Sequence, residues 1–74
     1  MEAKKLKDID GCRVKTLVID ENGEHITIHA GENEEAIISH EYYGDHAQNW
    51  IVVYENGTER FRVNTKYIVS FILE

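Results

Sequence analysis

The sequence predicts an all-β fold: a small antiparallel meander of five or six strands, curled or closed into an SH3-like or Sm-like barrel. Three observations predict it. Ile, Val and Thr number 19 of the 74 residues, whereas Ala and Leu together number seven. β-Branched side chains suit the pleated surface of a sheet and lose rotamer freedom in a helix. Two Asn-Gly pairs, Asn22-Gly23 and Asn56-Gly57, each divide a pair of alternating apolar runs. Asn-Gly supplies the positive φ angles of a two-residue type I′ turn, so each pair predicts a β-hairpin. There is no proline to interrupt a strand.

Taken in order, residues 3–9 predict one helical turn before Gly11. The turn at residues 22–23 sets a register of Glu21 with Glu24, Asp20 with His25, Ile19 with Ile26, Val18 with Thr27 and Leu17 with Ile28. That register places Leu17, Ile19, Ile26 and Ile28 on one face. Residues 33–44 admit two readings. Asn33 could cap a short helix with Glu34 and Glu35 in its first turn, giving an α+β fold. Ile37-Ile38 and Tyr42-Tyr43 favour a strand over residues 36–40 instead, entered through a turn at 31–34. The turn at 56–57 sets Tyr54 opposite Glu59, Val52 opposite Phe61 and Trp50 opposite Val63, so Trp50, Val52, Tyr54 and Phe61 form the expected core face. Residues 67–73, apolar apart from Ser70, predict a last strand that closes the sheet.

Length permits a single domain, residues 1–74, with one small core and marginal stability. The apolar runs are too short for a bilayer span or a secretory leader. The single cysteine, Cys12, cannot form an internal disulfide and suits a reducing cytoplasm. Charge is more informative. The net charge is −6, and residues 19–49 hold eight carboxylates, four histidines and no Lys or Arg. Phosphate backbones and anionic membranes repel such a surface, so neither nucleic acid nor a membrane is an expected direct partner. A basic protein surface or a metal cation fits the sign.

The candidate partner-binding residues are therefore Asp20, Glu21, Glu24, Glu32, Glu34, Glu35, Glu41 and Asp45, with Tyr42 and Tyr43 as apolar anchors. Four histidines among carboxylates also raise a zinc site built from His40, Asp45 and His46, completed by His29 or Cys12. Zinc needs three or four such ligands converging, and no CxxC or HExxH spacing marks them. No catalytic motif is present. Cys12 lacks an activating base among its neighbours Gly11 and Arg13, so an enzyme is not expected.

The stretch Leu6-Lys7-Asp8-Ile9-Asp10-Gly11-Cys12-Arg13-Val14, leading into a strand and an Asn-Gly turn, resembles the opening of small Sm-like or SH3-like barrel proteins. Arg62-Val63-Asn64-Thr65-Lys66-Tyr67-Ile68-Val69 resembles their short link into the last strand. The resemblance covers the two ends of the chain. It implies a barrel that oligomerises through edge strands as a scaffold or RNA-associated ring, with Arg13, Lys15, Arg60 and Arg62 as its basic patch. The acidic block from Asp20 to Asp45, with the absence of enzyme motifs, is similar in class to small phage-encoded inhibitors of host defence nucleases, including anti-CRISPR proteins. That likeness implies a non-enzymatic cytoplasmic inhibitor whose acidic face docks the basic nucleic-acid channel of its target.

Overall fold

The computed structural model describes residues 6–74. Of the expected N-terminal helical turn, a short 3-10 helix over Leu6–Ile9 is present, and residues 3–5 lie outside the described residues. Six antiparallel strands follow: β1 (Arg13–Glu21), β2 (Glu24–His29), β3 (Glu34–Tyr43), β4 (His46–Glu55), β5 (Thr58–Asn64) and β6 (Ile68–Leu73). A second 3-10 turn, Thr65–Tyr67, links β5 to β6 and takes Tyr67 out of the expected strand. The fold is all-β, a six-stranded sheet curled into a half-barrel.

Strand β1 organises the molecule. One edge pairs with β3 over Arg13 and Val14, then with β2 from Thr16 to Glu21. Its other edge pairs with β6. Sharing one long strand among three neighbours requires a bend, and an irregularity between Val14 and Thr16 supplies it. Val14 and Leu17 are three residues apart, so a regular strand would point them to opposite faces. The extra residue restores the phase, and both are buried in the core.

That core contains Ile9, Val14, Leu17, Ala36, Ile38, Ile51 and Val53. Ile19, Ile28, Ile68, Phe71, Leu73 and half-buried Cys12 pack around it. Full burial of a side chain such as Leu17 or Ile51 contributes about 1.5–3 kcal/mol. Asp10 ties the N-terminal turn down, accepting the His40 backbone N–H at 2.9 Å.

The first hairpin has the expected register throughout, from Glu21 opposite Glu24 to Thr16 opposite His29. Asn22 and Gly23 take φ angles of 53° and 86°, as a type I′ turn demands. Residues 33–44 resolve as strand: β3 is ten residues long and pairs with β4 along its whole length. The helix reading fails there because Ala36 and Ile38 must alternate inward against Val53 and Ile51.

The second hairpin departs from expectation. Tyr54 opposes Glu59 next to the turn, as expected, but a bulge follows. Beyond it Val53 opposes Phe61, Val52 opposes Arg62 and Ile51 opposes Val63. Ile51 and Val53 therefore face the core, while Trp50, Val52 and Tyr54 occupy the opposite face. Val52 is fully buried on that face, as expected, but the rest of the expected core face is corrected: Trp50 and Tyr54 are half-buried and Phe61 is exposed. A period-two pattern cannot reveal a bulge, because one inserted residue reverses the facing of everything beyond it.

Candidate functional site

The stretch from Glu41 to Gln48 is not an open loop. β3 runs to Tyr43 and β4 starts at His46, joined by a tight turn at Gly44 (φ 63°) and Asp45. This hairpin distributes the candidate residues by strand parity. Glu41 and Tyr43 share a face with Ser39, Trp50 and Val52, whereas His40 and Tyr42 share the other with Asn49. Tyr42 and Tyr43 thus point to opposite sides, 71% and 47% exposed.

On the outer face, Arg62 is the hub of a polar network. Its Nη1 donates to both oxygens of Glu41 at 3.0 and 3.2 Å. Its Nε and Nη2 donate to Glu59 at 3.1 and 2.8 Å. The guanidinium lies 5.5 Å from the Trp50 ring centroid, a cation–π distance. Ser39 and Tyr43 complete the shell of Glu41, donating hydroxyl hydrogen bonds of 2.8 and 2.7 Å. The Tyr43 hydroxyl, then Ser39, then Arg62 hold the Glu41 carboxyl below the usual glutamate range. Arg62 does the same to Glu59. Glu41 in turn pushes the Tyr43 phenol above its usual range. The Trp50 Nε1 donor is buried without an acceptor.

Three further ion pairs engage the two remaining arginines. Arg60 bridges Glu34 and Glu55 at 3.2 and 3.0 Å, and Arg13 reaches Glu35 at 3.4 Å. The eight carboxylates of the acidic block thus divide. Glu34, Glu35 and Glu41 are each paired with an arginine within the fold, and Arg13, Arg60 and Arg62 are correspondingly not a free basic patch. Glu32 and Asp45 are exposed in separate turns.

Asp20, Glu21 and Glu24 remain together at the β1–β2 hairpin tip, without a Lys or Arg ion-pair partner among the described residues. Glu21 stands directly opposite Glu24. Like charges in that position destabilise a sheet. Asp20, opposite His25, instead accepts the Gly23 backbone N–H at 3.0 Å, fixing the turn. Beside the tip lies an open cleft of about 490 Å³, with Asp20, Glu21 and Asn22 on one wall and Trp50, Arg62, Asn64, Lys66 and Tyr67 across it. Hairpin and cleft form one surface on which carboxylates without an ion-pair contact face the Trp50 and Tyr67 rings and the cations of Arg62 and Lys66. Sequence reading singled out the carboxylates but not the cleft, whose walls are 28 to 47 residues apart in the chain.

The candidate zinc ligands are scattered. His40 Nδ1 donates to Asn49 Oδ1 at 2.6 Å on one face of the β3–β4 hairpin, while His46 lies on the other. His29 Nδ1 is 3.2 Å from Thr16 Oγ1 on β1, and Cys12 packs against the core. Among the described residues, no group of three or more His, Cys, Asp or Glu is placed to hold a metal ion. No helix among them is long and apolar enough to cross a membrane.

Compared with protein-family models, curated proteins and solved structures, the chain matches none.

Proposed function

We propose that the chain is a non-enzymatic protein-binding module that docks a basic protein surface through its acidic β1–β2 hairpin. The target class its charge and size suit is a nucleic-acid-handling enzyme, such as a host defence nuclease, inhibited by obstruction of its basic channel. One observation carries the reading. The fold pairs Glu34, Glu35 and Glu41 with arginines but leaves Asp20, Glu21 and Glu24 clustered without one, with Glu21 facing Glu24 at a cost to its own stability. A cationic partner relieves that repulsion, and complementary charge of this kind speeds association while weakening in salt. Tyr67 and Trp50 across the cleft give such a partner apolar surface to bury. The alternative of an RNA-associated ring draws less support, because Arg13, Arg60 and Arg62 are already held by carboxylates.

The test is a tagged pull-down from bacterial lysate, with and without nuclease treatment, followed by assay of the captured enzyme. The expected result is a basic nucleic-acid-processing protein, retained after nuclease, released by salt and inhibited by the purified chain. The triple substitution Asp20→Asn, Glu21→Gln, Glu24→Gln should abolish capture without loss of fold. Binding that is equal at low and high salt, or unchanged in the triple variant, would overturn the reading.

A further inference from the structure

The cleft beside the β1–β2 tip has walls fixed by side-chain hydrogen bonds. On the β1 side the Asp20 carboxylate accepts the Gly23 N–H at 3.0 Å, which holds the turn. Across the cleft Asn64 accepts the Lys66 N–H at 3.1 Å and donates to Gln48 at 3.2 Å, which ties the Thr65–Tyr67 turn to β4. Tyr67, 52% exposed, and half-buried Trp50 add two aromatic rings to the lining.

Opposite charges face each other across this space, Asp20 and Glu21 on one wall and Arg62 and Lys66 on the other. Arg62 is held by Glu41 and Glu59. The Lys66 ammonium lies 5.1 Å from the Tyr67 ring centroid and has no ion-pair partner among the described residues. An anion in the cleft meets the carboxylates, and a cation meets Lys66 and Arg62. Like-charge contacts of either kind cost affinity, and a ligand without net charge escapes both. Such a ligand must still offer donors to one wall, acceptors to the other and an apolar surface to the rings. A pyranose does each of these. Its hydroxyls both donate and accept, and the C–H face of its ring covers an aromatic side chain.

We propose that the cleft binds a short neutral oligosaccharide, with its C–H face against Tyr67 and Trp50 and its hydroxyls on Asp20, Glu21, Gln48 and Lys66. The volume of about 490 Å³ falls within the roughly 300–1,000 Å³ of small-molecule sites. The proposal goes beyond the docking reading and does not rest on it, because Glu24 of the docking tip does not line the cleft.

Trp50 is the only tryptophan, so its fluorescence reports on the cleft. The test titrates the full chain with neutral trisaccharides of glucose, galactose, mannose and N-acetylglucosamine, read by fluorescence and calorimetry. The expected result is saturation by at least one of them. Trisaccharides of glucuronic acid or of glucosamine should bind about tenfold or more weakly than that one, because each brings net charge against one wall. Tyr67→Ala, at an exposed position, should weaken the neutral ligand about tenfold with circular dichroism and Tm unchanged. Glu21→Gln should narrow the penalty on the glucuronic acid probe, a shift that a purely structural role would not produce. Glu24→Gln should weaken capture of the basic target and leave saccharide affinity unchanged, so the two readings fail separately. No saturation by any neutral trisaccharide would overturn the proposal, as would saturation by a zwitterionic dipeptide alone. Charged probes that bind as tightly as the neutral ones would overturn it too.

Discussion

Arg62 shows how one side chain links stability to pH. It pairs with both Glu41 and Glu59 while lying over Trp50, and both carboxyls are held below their unfolded values. A carboxylate whose folded pKa is depressed stabilises the fold above its unfolded pKa, and that contribution is lost as pH falls through the folded value. The loss therefore starts near the ordinary glutamate value of 4.5 and continues below it. Thermal melts across this range should show Tm falling on acidification. Arg62→Gln should lower Tm at neutral pH and flatten the acid decline, because it removes a shared cause of both shifts. An acid limb as steep in Arg62→Gln as in the parent would contradict this account. Each pair is partly exposed, so its contribution at neutral pH is modest.

At the scale of elements, the two hairpins behave differently although their turns are alike. Asn22-Gly23 and Asn56-Gly57 adopt nearly the same φ pairs, and the first register runs unbroken from its turn. The second is broken by a bulge in which Arg60 of β5 is the extra residue, so that Phe61 and Val63 come to lie on the same face as Val53 and Ile51. Packing supplies the reason. Ala36 and Ile38 on β3 already face the core, and Val53 and Ile51 are their direct partners on β4. The bulge lets β5 follow with Phe61 and Val63 while releasing Arg62 to the outer face. Ile51→Val should therefore cost about 0.5–1.5 kcal/mol in chemical denaturation, whereas Ile72→Val should cost almost nothing. Equal costs at the two positions would mean that Ile51 does not face the core.

At the scale of the whole molecule, charge is divided rather than spread. Arginines hold the carboxylates of β3 and of the β4–β5 hairpin, and the β1–β2 tip is left without one. Stability and binding should then respond in opposite directions to one substitution. Glu24→Lys replaces a like-charge pair with an opposite-charge pair opposite Glu21, a change of roughly 0.2–1 kcal/mol toward stability. It should raise Tm, most clearly at low salt, and weaken capture of the basic target. A variant that is both more stable and an equally good binder would remove the hairpin from the docking surface.

The sequence by itself determined the all-β class, both Asn-Gly hairpins, the full register of the first and the strand preference of residues 33–44. These follow from local chemistry: positive φ at Asn-Gly, β-branched side chains and period-two alternation. The acidic block was equally legible, since charge is counted from residues alone. Tertiary structure alone decided which carboxylates are free. Glu34 and Glu41 meet Arg60 and Arg62 across 26 and 21 residues, a pairing that depends on a bulge leaving no trace in the alternation. The same long-range geometry set Trp50 on the outer face and opened the cleft between β1 and the β5–β6 link. Those features arise from how a curled sheet brings distant strands together, and no local pattern encodes that distance.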